Sequence, residues 1–203
     1  MRFPAPGFLL LLLLTPAALG FSSAATIQVA FTQLDHNSDR SLGLVEWDQH
    51  ALALFQAADR NQDQALEPDE VPAEAEAGGT FDRFDFNHDG RLSRDEFMQL
   101  RRALFAVGDI NANRQLDATE YELFRLLSDA GWVDVNHDGR LNYDELRANL
   151  TLVFTHADSN GDGALAADEA RFLTPITYAA LTAGGPLDAA RLHAHYRYLL
   201  TGE

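Results

Sequence analysis

Cysteine and lysine are both absent from this chain of 203 residues, and methionine occurs only twice. Without cysteine the chain offers no thiolate to zinc or copper, and it forms no disulfide. No Gly-x-Ser-x-Gly sequence is present either, so the common nucleophile signatures are missing and we expect no catalytic activity. All fifteen basic residues are arginine, which together with the many alanines is typical of GC-rich genomes, most often bacterial.

Positive charge is scarce, because fifteen arginines stand against 31 aspartates and glutamates and the formal net charge is −16. Nothing in the chain resembles the basic stripe that neutralises phosphate groups, so nucleic acid is excluded as a partner. The positions of the carboxylates are therefore the informative feature.

Oxygen-bearing side chains recur at fixed positions in six segments of twelve residues, which we number loops 1 to 6. Each loop opens on an aspartate at position 1 (Asp35, Asp59, Asp85, Asp109, Asp134, Asp158). Position 3 is always an asparagine (Asn37, Asn61, Asn87, Asn111, Asn136, Asn160). Position 5 is a further short polar residue (Asp39, Asp63, Asp89, Asn113, Asp138, Asp162). Each loop closes on a glutamate at position 12 (Glu46, Glu70, Glu96, Glu120, Glu145, Glu169).

This spacing is the one that a calcium ion requires. Calcium takes six to eight oxygen ligands, and one loop supplies them from positions 1, 3, 5, 7 and 9 and from a bidentate glutamate at position 12. Position 7 contributes its main-chain carbonyl, so its side chain varies freely (Ser41, Ala65, Arg91, Gln115, Arg140, Ala164). Position 9 adds a side-chain oxygen in four loops (Glu67, Ser93, Asp117, Asn142). The sequence predicts up to six calcium sites, and the bidentate glutamate favours calcium over magnesium.

The six loops resemble those of the EF-hand superfamily, and the resemblance covers the chain from Asp35 to Glu169. It implies an all-α fold: a tandem array of six helix–loop–helix units, with short β-bridges between paired loops. Position 6 departs from the pattern, because the sharp turn there favours glycine. Loops 3, 5 and 6 have that glycine, whereas Arg40, Gln64 and Arg114 replace it in loops 1, 2 and 4. We expect loops 3, 5 and 6 to bind most tightly, since the strain costs about 1 kcal/mol.

Successive loops begin only 24, 26, 24, 25 and 24 residues apart. This spacing leaves room for one helix between neighbouring loops, so we expect each helix to leave one loop and enter the next. Secreted bacterial proteins with several EF-hands are similar in this respect. Straight shared helices would pair each loop with the next but one, and broken helices would pair immediate neighbours; the sequence leaves both open.

Apolar residues recur around the loops at helical spacing. A phenylalanine lies four residues before five of the opening aspartates (Phe31, Phe55, Phe81, Phe105, Phe154). An apolar residue follows five of the closing glutamates (Trp47, Val71, Phe97, Tyr121, Leu146). Position 8 is always leucine (Leu42, Leu66, Leu92, Leu116, Leu141, Leu165). We expect the aromatic residues to form the core and the leucines to carry the bridges between paired loops.

The chain divides into four predicted segments. Residues 1–25 read as a secretory signal peptide, with cleavage after residue 20 or residue 25. Residues 26–77 hold loops 1 and 2 and residues 78–175 hold loops 3 to 6, because Pro72, Gly78 and Gly79 interrupt the chain between them. Pro175 is expected to end the last exit helix. Residues 176–203 form a tail with an amphipathic helix, expected to cap the array.

These features predict a secreted or periplasmic calcium-binding protein that is not an enzyme and has no membrane anchor after signal cleavage. Three roles stay open: a calcium buffer or calcium-stabilised structural protein, a sensor that binds an unidentified protein target when loaded, and an adhesion or scaffold module. Sensor grooves depend on methionine, and only Met98 remains beyond the signal segment, which argues against a promiscuous sensor.

Overall fold

The computed structural model describes residues 21–71, 84–130, 133–136 and 138–201, with the backbone alone for residues 198–201. Within these ranges the chain is mainly helical. The helices are α1 (Ala24–Leu34), α2 (Leu44–Ala58), α3 (Arg94–Gly108), α4 (Ala118–Ala130), α5 (Tyr143–Ala157), α6 (Pro175–Thr182) and α7 (Ala189–Thr201). The strands are β1 (Ser41–Gly43), β2 (Ala65–Leu66), β3 (Leu92–Ser93) and β4 (Gln115–Asp117).

The loop residues themselves set the helix ends. The opening aspartates Asp35, Asp59, Asp109 and Asp158 are helix C-caps, and each donates its main-chain N–H to the carbonyl of the phenylalanine four residues earlier. At the other end the closing glutamate is the third residue of the next helix, where its carboxylate accepts the N–H of the N-cap residue. Loop residues therefore end the helices α1, α2, α3 and α5 and begin the helices α2, α3 and α5.

Three helices are shared between neighbouring loops, as the spacing predicts. α2 leaves loop 1 and enters loop 2, α3 connects loops 3 and 4, and α5 connects loops 5 and 6. Each of these helices has fifteen residues, which is about four turns and leaves no room for separate exit and entry helices.

The strand pairs join the loops in a nested order. β2 of loop 2 pairs antiparallel with β3 of loop 3, so that Leu66 faces Leu92. β1 of loop 1 pairs antiparallel with β4 of loop 4, so that Leu42 faces Leu116. The 2–3 pair is one of immediate neighbours, but the 1–4 pair fits neither scheme that the spacing allowed. The physical reason is that the 2–3 pair sets α2 and α3 side by side and antiparallel, which brings their far ends, and with them loops 1 and 4, together.

Loop 6 is bridged to the tail, and in the described ranges it forms no strand pair with another loop. The N–H of Leu165 donates to the carbonyl of Leu187 at 2.8 Å, and the hydroxyl of Tyr178 donates to the carbonyl of Leu165 at 3.0 Å. Helix α7 packs on α5, its Leu192 and Tyr196 are fully buried, and the Tyr196 hydroxyl bonds to Glu122 at 2.6 Å. Helix α7 therefore packs against the array.

Two hydrophobic clusters fill the interior. One surrounds the 2–3 strand pair and includes Phe55 and Phe97, whose rings meet edge to face at 5.4 Å. The larger one contains residues from α1 through α7, and Leu104 contacts both. The predicted core positions in the described ranges are buried, apart from the half-buried Val71, and all six position-8 leucines are at most 4% exposed. Phe81 lies outside the described residues.

Trp47 is the centre of the contact between α2, α3 and α4. It is 2% exposed, its ring meets those of Phe105 and Phe124 edge to face, and its indole N–H donates to the carbonyl of Arg101 at 2.7 Å. The guanidinium of Arg101 lies 4.3 Å from the centre of the same ring. Burial lowers the pKa of Arg101 to about 10, so this arginine remains charged and is stabilised by the indole face.

The described residues at two predicted exit helices differ from the prediction. Loop 2 closes with a 3₁₀ turn (Pro68–Glu70), and Val71 is extended because Pro72 follows it. The remainder of the exit helix predicted after loop 2 lies outside the described residues. After loop 6 the described chain makes turns, and Pro175 does not end a helix but is the first residue of α6, with Thr174 as its N-cap. Proline is favoured at that position, since the N–H that it lacks would have no helical partner.

The predicted break near residue 77 lies outside the described residues, but the segments on either side of it are packed together. Both strand pairs cross that boundary, and the larger cluster contains residues from both segments. Loops 1 and 2 are therefore not separable from loops 3 to 6 in this fold. None of the helices in the described ranges has the length and apolar character that crossing a bilayer requires.

Candidate calcium sites

Each loop wraps its main chain around its own acidic side chains through one repeated set of hydrogen bonds. In all six loops the N–H of position 6 donates to the position-1 carboxylate at 2.7–3.0 Å. The N–H of position 5 donates to the position-3 amide oxygen at 2.8–2.9 Å. The N–H of position 7 donates to the position-5 side chain at 2.8–3.1 Å. The side chains at positions 1, 3 and 5 are thus gathered on the inside of each loop.

The closing glutamate ties the two ends of its loop together. One of its oxygens accepts the N–H of position 9 in all six loops, at 2.9–3.3 Å. The other oxygen accepts a main-chain N–H from position 2 or 3 of the same loop, at 2.8–3.3 Å. This carboxylate therefore reaches back to the start of its own loop, beside the side chains of positions 1 and 3.

The position-9 side chains divide into two groups. Ser93, Asp117 and Asn142 accept N–H groups of the helix that follows, at 2.8–3.3 Å, so they serve as helix N-caps. Glu67 instead turns back into its own loop and accepts from the amide of Asn61 at 3.2 Å. Among these four predicted ligands, Glu67 is the one whose carboxylate faces the other ligands directly.

The turn at position 6 has the left-handed conformation that the sequence pattern predicts. Its φ is 69° at Arg40, Gln64 and Arg114, and 78–83° at the three glycines. Position 4 is left-handed as well, with φ of 58–61° at Ser38, Gln62, His88 and Ala112. Sequence reasoning missed this second strained position, although Gly161 at position 4 of loop 6, with φ of 72°, was a signal for it. Loop 3 therefore carries strain at His88, while loop 6 has glycine at both positions.

The donor set fits a hard cation. The opening carboxylates of loops 2 to 5 and the closing carboxylates of loops 1, 3, 4 and 5 are buried. One oxygen of Asp109, Oδ1, is buried with no hydrogen-bond partner, whereas the equivalent oxygens of Asp35, Asp59, Asp85 and Asp158 accept an N–H. A buried charged oxygen without a partner is costly, and a cation in the loop would satisfy it.

The side chains gathered in each loop are a mixture of carboxylates and amides. Among the described residues, no three histidine, aspartate or glutamate side chains converge to hold a metal by themselves. The reason is that the closing carboxylate is drawn to main-chain N–H groups at both ends of the loop, while an asparagine amide separates the other two acidic positions. Calcium accepts amide and carbonyl oxygens beside carboxylates, so this composition suits it and does not suit a soft metal.

The electrostatic state of the closing glutamate differs between loops. Glu120 is fully buried, and this burial raises its pKa to about 7. Hydrogen bonds from the N–H groups of Asp117 and Asn111 lower the pKa but have the smaller effect. Glu169 is less buried, and the N–H of Ala166 with the hydroxyl of Ser159 lowers its pKa. Burial thus favours the protonated form of Glu120, whereas the hydrogen bonds to Glu169 favour its carboxylate form, so calcium competes more with a proton in loop 4 than in loop 6.

One comparison with known proteins bears on the ligand of these loops. Residues 74–151, which contain loops 3, 4 and 5, match the model of a family described as an EF-hand domain pair. This match supports the EF-hand superfamily and calcium as the ligand of the loops. Among solved structures, a sarcoplasmic calcium-binding protein from amphioxus is similar at 17% identity over 76% of this chain and 89% of that chain. The TM-score of 0.25 is too low to establish a common architecture. No curated protein matches the sequence.

Proposed function

We propose that this chain, whose residues 74–151 match an EF-hand domain pair, binds calcium in all six loops and acts as a buffer or calcium-stabilised structural protein without catalytic activity. The observation that carries the proposal is the common wrap of the six loops. In each, one repeated set of main-chain N–H groups gathers the side chains of positions 1, 3 and 5 and binds both oxygens of the closing glutamate. The buried, unpartnered oxygen of Asp109 adds support.

Charge supports a structural role for the ions. Nineteen carboxylates lie at ligand positions, and the formal net charge of the whole chain is −16. Six calcium ions would return twelve positive charges to the loops. The carboxylates of the ion sites then account for most of the negative charge of the chain. The bound ions stabilise a fold that has no cysteine to form disulfides.

The methionine content argues for this role over that of a promiscuous sensor. Met98, the one methionine beyond the signal segment, is half-buried against the cluster around the 2–3 strand pair. The large apolar side chains that are most exposed lie apart along the chain, on α2, loop 5 and α6 (Val45, Val135, Ile176). The alternative is a sensor that binds one specific protein target when loaded.

A calcium titration in the presence of the apolar dye ANS separates these two roles. We expect ANS fluorescence to fall as calcium is added, because ions that close a loosened chain remove apolar surface from the dye. A rise with calcium would contradict the structural role and favour the sensor. Magnesium at the same ionic strength is the matched control, and it should leave the fluorescence nearly unchanged.

We further propose that the protein is secreted or periplasmic and that its mature chain begins at Phe21. The predicted signal segment up to residue 20 lies outside the described residues. The residues that follow it are packed into the fold: the ring of Phe21 lies 5.5 Å from that of Phe172, and the N–H of Ser22 donates to Asp129 at 2.9 Å. Ser23 is the N-cap of α1. These contacts favour cleavage after residue 20 over cleavage after residue 25.

N-terminal sequencing of the exported protein tests this choice, and we expect Phe21 as its first residue. A chain that began at residue 26 would contradict it, and an uncleaved chain would contradict the assignment of residues 1–20 as a cleaved signal peptide. A shortened variant lacking residues 21–25 should lose about 1 kcal/mol through the missing N-cap alone, measured by urea unfolding in calcium.

A further inference from the structure

The strand pair between loops 2 and 3 brings a positive charge from one loop onto the ligands of the other. The register sets Ala65 opposite Ser93 and Leu66 opposite Leu92, and Arg91 lies immediately before β3. The Nη1 atom of Arg91 is 3.0 Å from Oδ2 of Asp63 and 3.2 Å from Oε1 of Glu67. Asp63 and Glu67 are positions 5 and 9 of loop 2, so both are predicted ligands of its ion.

Arg91 belongs to both sites. Its main chain is position 7 of loop 3, where its N–H donates to Asp89 at 2.9 Å, and its side chain extends across to loop 2. The guanidinium is half-exposed, while Asp63 and Glu67 are more enclosed. Oε1 of Glu67 is buried and has no hydrogen-bond partner in the described structure, so the guanidinium is the charge that compensates it.

In the described parts of the other loops, the residue at position 7 forms no ion pair with the ligands of a neighbouring loop. Position 7 is uncharged in loops 1, 2, 4 and 6. In loop 5 it is Arg140, which is exposed and forms no ion pair with a carboxylate in the described part of the chain. The difference arises because loop 3 has a strand partner on the side to which Arg91 points, whereas the described residues of loop 5 form no strand.

We propose that Arg91 is a tethered counter-cation of loop 2, which neutralises Asp63 and Glu67 when calcium is absent and must leave them as calcium enters. The proposal rests on the proposed function, since it assumes that loop 2 takes up calcium. Arg91 thereby lowers the affinity of loop 2. Loop 2 is set to fill at higher calcium concentrations than loop 3.

Calcium titration of the full mature chain, followed by amide NMR signals, tests this directly. The amide of Gln64 reports on loop 2 and that of Gly90 on loop 3, because both donate to the opening aspartates of their loops. In R91Q we expect the midpoint at Gln64 to fall about threefold to tenfold, since two partly exposed ion pairs that compete with calcium are lost together. The midpoint at Gly90 should stay within about twofold.

Two matched variants complete the test. R140Q removes the same charge from the same loop position and should leave the Gln64 midpoint unchanged, and R91K keeps the charge and should stay close to the wild type. An unchanged Gln64 midpoint in R91Q, or an equal fall in R140Q or R91K, would overturn the proposal.

Thermal melting in excess chelator gives a readout that does not require calcium binding. R91Q should melt below R140Q there, because Asp63 and Glu67 lose their counter-charge, and equal melting would overturn the proposal. If the wild type took up no calcium, the proposed function would fail, while this comparison would still test whether Arg91 neutralises the two carboxylates.

Discussion

In excess chelator, the mature protein is expected to melt far below the calcium-loaded form. A site with a dissociation constant near 10 μM adds about 2.7 kcal/mol to the stability of the folded state at 1 mM calcium. Several such sites together approach the roughly 5–15 kcal/mol that stabilises an ordinary domain. Removing the ions also leaves nineteen carboxylates crowded into six loops, where they repel one another.

Circular dichroism melting with and without chelator measures this effect, and refilling with magnesium in place of calcium is the control. Magnesium should restore little, because it demands octahedral geometry and retains its waters. A cooperative transition in chelator close to the midpoint of the loaded protein would contradict the structural role of the ions.

Replacing Trp47 with alanine is expected to cost about 3–5 kcal/mol of stability in saturating calcium. Trp47 fills the space between Phe105 and Phe124, donates a hydrogen bond to the Arg101 carbonyl and supports the Arg101 guanidinium. The variant leaves a cavity and deprives a buried charged group of its aromatic contact. Because Trp47 lies one residue after the closing glutamate of loop 1, we also expect weaker calcium binding in loops 1 and 4.

Urea unfolding in calcium measures the loss, and I176A is the matched control. Ile176 is 83% exposed, so its truncation should change stability by no more than about 0.5 kcal/mol. A loss below about 1 kcal/mol in W47A would show that the contact between α2, α3 and α4 does not depend on this side chain.

Local features of the fold were predictable from the sequence because their causes are local. The asparagine and aspartate spacing fixes the turns of each loop, and the closing glutamate caps the helix that follows it. The phenylalanine one turn before the opening aspartates of loops 1, 2, 4 and 6 faces inward because the helix period places it there. The left-handed conformation at position 6 follows from the same geometry, whether the residue is glycine or Arg40.

The pairing of the loops was not predictable, because it depends on contacts between distant parts of the chain. Neither spacing nor loop composition indicates that loop 1 meets loop 4; that contact follows from the antiparallel packing of α2 and α3. The same applies to the bridge between Leu165 and Leu187. The error at Pro175 had a local cause, because proline directly after Thr174 is the start signal of a helix.

The position-9 residues show how one sequence signal can serve two purposes. Serine, aspartate and asparagine at this position are both helix N-caps and predicted ion ligands, and the structure engages Ser93, Asp117 and Asn142 as caps. Glutamate is too long to be a good cap, so Glu67 turns to its own loop and meets Arg91. This difference makes loop 2 the loop with the most acidic set of ligands and also the loop with its own counter-cation.

The number of calcium ions held by the mature protein tests the central claim most directly. Native mass spectrometry across rising calcium concentrations should show six bound ions at millimolar calcium. Each change of a closing glutamate to glutamine, such as E96Q or E145Q, should reduce the number by one. A protein that retains no calcium, or a number of ions unaffected by these substitutions, would contradict the assignment of the six loops as calcium sites.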